Sequence, residues 1–168
     1  MTPALRILAS AALASLALLA AGCNSDSAQS SAGGGAVVAG DPWSNAQVVE
    51  PAALASPLAS SQGAKPLLLH VGFRVLYRAG AIPGSRYIGP GSEDSGLAAL
   101  EAAVKDEPRD REIVLYCGCC PWDHCPNMRP AFKALADRGF TNVRALYVPH
   151  NLDPDWAGKG YPIEKPVD

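Results

Sequence analysis

Ile113-Val114-Leu115-Tyr116-Cys117-Gly118-Cys119-Cys120-Pro121-Trp122-Asp123-His124-Cys125 is the stretch that decides how the rest of the chain reads. Its first four residues form a continuous aliphatic and aromatic run, preceded by Asp110-Arg111-Glu112 and followed by Gly and Pro. Such a run predicts a central strand of a parallel sheet, covered on both faces. Cys117 then falls at the strand's C-terminal end, and in open α/β sheets ligands bind in the crevice beyond those ends. A lone Cys beside apolar residues is usually a small buried hydrophobe. Four of the five cysteines within this one loop argue instead for a reactive or metal-binding segment, the structural alternative being disulfides that staple a surface loop.

Outward from this strand, helical and extended patterns alternate. Gln47-Val48-Val49 predicts a short first strand, and Pro51 to Leu58 a short helix with Pro at its start. Pro66-Leu67-Leu68-Leu69-His70-Val71 is an apolar run ended by Gly72, and Ser85-Arg86-Tyr87-Ile88 follows a Pro83-Gly84 turn as an edge strand. Leu97, Leu100 and Val104 mark one apolar helix face that Pro108 closes. After the cysteine loop come a helix from about Asn127 to Asp137, with Phe132 and Leu135 inward and Gly139 at its end, then a strand from Val143 to Val148 and a Pro-rich tail. The alternation predicts an α/β fold, a central parallel sheet with helices on both faces.

At 168 residues, 48% hydrophobic and 18% charged, the chain has material for one core of ordinary size and not two. A net charge of −2 and the lack of a Lys/Arg cluster exclude a nucleic-acid partner. Residues 1–22 read as an export signal: Arg6, an apolar stretch from Ile7 to Ala21, then Gly22-Cys23. Leu19-Ala20-Ala21-Gly22-Cys23 resembles the lipobox of bacterial lipoproteins, with Ala20 where Leu is commoner. The resemblance implies cleavage before Cys23, acylation of that residue and a stable membrane anchor in the cell envelope. Residues 23–44 are expected to be a flexible tether, Ser-, Ala- and Gly-rich from Asn24 to about Gly40, because such composition cannot bury enough apolar surface to order itself. Residues 45–168 make the folded domain.

That domain resembles a rhodanese domain, the sulfurtransferase fold. Leu67 to Gly72 stands where the family writes a strand ending Asp-Val-Arg, and Gly80-Ala81-Ile82-Pro83-Gly84-Ser85 resembles its Gly-His-Ile-Pro-Gly-Ala turn. Ile113 to Cys117 is similar to the strand that delivers the nucleophile. Leu135 to Phe140 resembles the end of the following helix, and Trp156 with Gly160-Tyr161-Pro162 the closing motif. Three departures stand out: His70 and Gly72 replace the Asp and Arg, Ala81 replaces the His, and the loop after Cys117 is several residues longer than the family's usual six. That loop carries Asp123 and His124 where a basic pair is common, which argues against anionic donors such as thiosulfate.

The resemblance implies a thiol sulfurtransferase or persulfide-handling redox protein with Cys117 as nucleophile. A small-molecule or protein sulfur donor and a thiol acceptor would be its partners, and no cofactor is required. Backbone N–H groups of the loop, Gly118 among them, and the following helix N-terminus are expected to favour the Cys117 anion, with Arg129 either a compensating cation or a solvated residue. Cys125 is the better candidate for a resolving thiol, since vicinal Cys119 and Cys120 could pair only in a strained ring. A second class of function is metal capture: Cys119, Cys120, Cys125 and His124 offer donors for zinc or copper(I), and His70 and His150 fall at the same sheet edge. The spacing matches no common zinc pattern. A non-catalytic interaction module and a phosphatase of the same fold are the remaining readings.

Overall fold

The computed structural model describes residues 37–167, so the proposed signal segment, Cys23 and most of the tether lie outside it. Five strands form one sheet in the order β1-β5-β4-β2-β3, every pairing parallel. They are β1 (Val48–Val49), β2 (Leu67–His70), β3 (Arg86–Tyr87), β4 (Ile113–Tyr116) and β5 (Val143–Leu146). The helices are α1 (Pro51–Ala59), α2 (Arg74–Ala79), α3 (Asp94–Val104), α4 (Met128–Asp137) and the single turn α5 (Leu152–Asp155). No helix among the described residues is long and apolar enough to cross a membrane.

β4 is central because it has no polar side to show: all four of its residues are buried, and it pairs with β2 and β5 in register Leu69↔Leu115 and Leu115↔Ala145. Side chains alternate across a strand, and two cores follow from that. Ile113, Leu115 and Cys117 face α3 and α4, against Leu100, Val104, Phe132 and Leu135. Val114 and Tyr116 face the other side, against Leu54, Ile82, Val148 and Trp156. β3 is an edge strand, as its short Pro-Gly-flanked sequence predicts.

Two elements differ from the sequence reading. Residues 41–44 pack on the domain instead of belonging to the tether: Trp43 is buried between Trp122 and Phe132, and the Asp41 carboxylate is buried against Arg129. A helix, α2, occupies Arg74–Ala79, where no periodic signal marks one, because only Tyr77 of its residues is buried. Its anchor is specific: the Tyr77 hydroxyl donates to the Ser85 carbonyl at 2.7 Å.

Candidate functional site

Cys117 directly follows β4 and is buried beside the end of β2, where the Val71 N–H donates to the Tyr116 carbonyl. Gly118 has φ +66°, the left-handed region that glycine enters freely. The turn it makes folds the next residue back, so Cys119 Sγ lies 2.8 Å from Cys117 Sγ. In an extended strand residues two apart would sit about 7 Å apart along the chain. Cys120 Sγ is 3.2 Å from Cys119 Sγ. The sulfurs of Cys117, Cys119 and Cys125 all lie within 4.8 Å of one another, and the four loop cysteines are free thiols.

The loop is held by residues with no sulfur chemistry. Trp122 is buried in the α4-side core against Trp43 and Tyr147, and its backbone N–H donates to the Pro149 carbonyl. Arg129 does not reach the sulfurs. Its Nε donates to Asp41 Oδ1 at 2.8 Å, and its Nη1 donates to the carbonyls of Cys125 and Trp122 at 3.2 and 3.4 Å. It fixes the loop's backbone to the domain's first residues. Asp123 and His124 pair with each other at 2.8 Å on the surface, and His124 does not join the group of close sulfurs. His150 is likewise exposed and serves the β5–α5 turn, its ring and backbone N–H bound to the buried Asp155. Of the three histidines, only His70 belongs to the site.

Asn127, fully buried at the start of α4, is the residue the sequence reading passed over. Its Nδ2 donates to Cys117 Sγ at 3.5 Å and Cys119 Sγ at 3.6 Å, while its Oδ1 accepts from the Ser92 N–H and hydroxyl. An Asn before a helix suggests an ordinary cap, yet here it makes no side-chain cap bond and spends its amide on the sulfurs. Gly72 has an equally local reason. A Cβ there would stand 2.8 Å from Cys117 Sγ and 3.0 Å from His70 Cε1, so only glycine leaves room for both groups.

The thiols share charge unequally. Hydrogen bonding to Cys119 and Cys125, with burial, pushes Cys117 up, and burial pushes Cys120 up. Cys125 is lowered by hydrogen bonds from Cys117 and Cys119, and the backbone N–H groups of Asn127 and Met128 add to the effect. The N–H support expected at Cys117 is thus directed at Cys125, at the start of α4. His70 is 1% exposed, stands among Tyr77, Tyr87 and Tyr116, and accepts the Gly72 N–H on Nδ1 at 3.4 Å. Burial lowers its pKa to about 4, partly offset by hydrogen bonding to the Cys117 backbone, so it is neutral at pH 7.

A cavity of about 310 Å³ opens on Cys117 from the side of α2 and α5. Leu76, Leu152 and Ile163 make its apolar wall, His70 and Cys117 line it, and Asp153 supplies its charge. None of the described residues lining it is Lys or Arg.

The fold is similar to that of known structures. The Alr3790 protein from Anabaena sp. superposes with a TM-score of 0.55 at 24% identity, over 71% of this chain and 83% of that one. The solution structure of a rhodanese-like domain from the same Anabaena protein gives 0.52 at 22% identity, over 72% and 80%. The BH2092 protein from Bacillus halodurans gives 0.53 at 21% identity, over 69% and 74%. The chain therefore has the rhodanese-like fold, the class expected from the cysteine strand and the turn motifs. No protein-family model matches the sequence, and no curated protein matches it.

Proposed function

We propose that the protein is a thiol sulfurtransferase that carries sulfur as a persulfide on Cys117, exported and lipid-anchored through Cys23. The observation that carries this reading is the position of Cys117, at the end of the central strand and on the wall of a cavity large enough for a small organic molecule. Cys117, giving up its proton within the thiol cluster, attacks the outer sulfur of a donor R–S–SH. The donor's S–S bond breaks, R–S⁻ leaves, and Cys117 keeps the transferred sulfur as Cys–S–SH. An acceptor thiolate attacking that outer sulfur regenerates Cys117. An apolar wall with one carboxylate and no cation suits an uncharged organic persulfide better than an anion such as thiosulfate. Intact mass of the reduced protein after exposure to benzyl persulfide should show one added sulfur, removable by cyanide and absent from Cys117→Ser. Uptake that survives that substitution would remove Cys117 from the role.

A second reading has its own observation, the three sulfurs within 4.8 Å. Metal–sulfur bonds of about 2.3 Å in a trigonal site would hold sulfurs about 4 Å apart, so Cys117, Cys119 and Cys125 suit copper(I) with little movement. Zinc wants a fourth ligand, and Cys120 is the nearest thiol to supply it. This set replaces His124 by Cys117, so metal and transferred sulfur would compete for one atom. Native mass spectrometry with copper(I) or zinc supplied tests it: loss of the bound ion in Cys119→Ser supports the site, and retention rules it out.

A further inference from the structure

We propose that Cys119 is an internal resolving thiol, which makes the site a reductase of sulfane sulfur that releases hydrogen sulfide. The inference rests on Cys117 as the sulfur carrier. Its basis is contact: Cys119 Sγ stands 2.8 Å from Cys117 Sγ, and the Gly118 turn that holds it there is built into the backbone. A disulfide needs about 2.05 Å between sulfurs, so closing this pair takes a side-chain adjustment of under about 1 Å. Cys125, the candidate favoured by spacing, is buried and engaged with the start of α4, whereas Cys119 is half-exposed. The amide of Asn127 spans both Cys117 and Cys119 and keeps the two sulfurs on one side of the loop.

The step balances without an added oxidant. The Cys119 thiolate attacks the inner sulfur of the Cys117 persulfide, the bond to the outer sulfur breaks, and that sulfur leaves with the electron pair as HS⁻. The two cysteine sulfurs are oxidised to a Cys117–Cys119 disulfide, and the sulfane sulfur is reduced to sulfide. A further cycle needs an external dithiol, which exchanges with the disulfide through Cys119, the more exposed of the pair, and departs as its own disulfide. The same geometry explains why a thiol sits within reach of a carrier that could otherwise hold its persulfide for an outside acceptor.

The test uses the full chain carrying Cys23→Ser, so that the remaining thiols are those of the loop. The protein is reduced, freed of reductant and given one equivalent of benzyl persulfide, and sulfide is measured in the sealed reaction mixture against a blank without protein. About one sulfide per protein should appear, with two thiols lost and a Cys117–Cys119 disulfide found by peptide mapping. Cys119→Ala should slow release at least about tenfold and leave a persulfide on Cys117 that cyanide removes; Cys119→Ser serves if the alanine variant does not fold. Release at the parent rate from either variant, or a disulfide mapped to Cys125, overturns the assignment of Cys119. A parent protein that keeps its persulfide overturns the reductase activity while leaving sulfur transfer standing. Failure of both parent and variant to take up any sulfur overturns the carrier role of Cys117 itself.

Discussion

Replacing His70 by Phe should flatten the acid limb of the stability curve. His70 is 1% exposed among three tyrosine rings, and burial lowers its pKa from 6.5 to about 4. Between those values the unfolded chain binds a proton that the folded chain refuses, so stability rises with pH across the window and falls as pH drops from 6.5 toward 4. At about 1.4 kcal/mol per pH unit, a depression of that size is worth about 3–4 kcal/mol. The groups facing the ring are Tyr77, Tyr87 and Tyr116 with the Cys117 backbone, and the charge of Cys125 opposes the shift only weakly. Urea unfolding of parent and His70→Phe at several pH values between 4.5 and 7.5 reads this difference, and the subtraction removes the shared titration of surface carboxylates. The variant loses the Gly72 N–H bond at all pH values, so it should be less stable at pH 7.5 and lose less on acidification. Parallel curves for the two proteins would refute a buried, neutral His70.

Three further substitutions test other parts of the site. Gly72→Ala places a Cβ 2.8 Å from Cys117 Sγ and should cost about 1–3 kcal/mol in urea unfolding while slowing sulfur uptake; an unchanged midpoint and rate would mean the strand ends are less crowded than described. Asp155→Ala removes the acceptor for the His150 and Asn151 N–H groups at 2.6 and 3.1 Å, and should cost about 1–3 kcal/mol because each part-buried hydrogen bond lost is worth about 0.5–1.5. A loss within 0.5 kcal/mol, the usual range for a surface change, would show that the turn finds other acceptors. Asp153→Lys reverses the charge on the cavity wall and should raise sulfur uptake from thiosulfate relative to benzyl persulfide, whereas an unchanged ratio of the two donors would refute charge as the selector.

The sequence shows the parts of this fold whose burial is written in runs. Ile113–Tyr116 has no polar residue, so its central position can be read directly, and α4 and α3 show their inward faces at Phe132, Leu135, Leu100 and Val104. Helix α2 is invisible for the opposite reason: Val75 is 71% exposed and Leu76 stands at the cavity, so its apolar residues make no stripe toward the core. At the site, Cys117 and the density of thiols are legible, but which thiols meet is not. That depends on the left-handed turn at Gly118 and on the 3₁₀ turn at Trp122–His124, which carries His124 outward and Trp122 in. Asn127 could not have been placed, because its partners are Ser92, 35 residues away, and two sulfurs of its own loop that meet it only through the turn at Gly118.

Four thiols at one strand end also limit the charge that the site can hold. Two anions about 4 Å apart repel by about 4 kcal/mol at an effective dielectric of 20, so three sulfurs within 4.8 Å do not all ionise in the free protein. The opposite displacements of Cys117 and Cys125 accord with this limit: hydrogen bonding to its neighbours and burial push Cys117 up, while hydrogen bonds from those neighbours and from the Asn127 and Met128 N–H groups lower Cys125. A basic side chain beside the sulfurs is then unnecessary, which fits the engagement of Arg129 with Asp41 and the loop carbonyls instead. It also follows that a soft cation is the one ligand that would let Cys117, Cys119 and Cys125 ionise together, whereas sulfur transfer requires only one of them to do so at a time. The proposed sulfur transfer and metal capture would therefore be alternative uses of the same cluster of sulfurs, separated by the number of protons the loop must release.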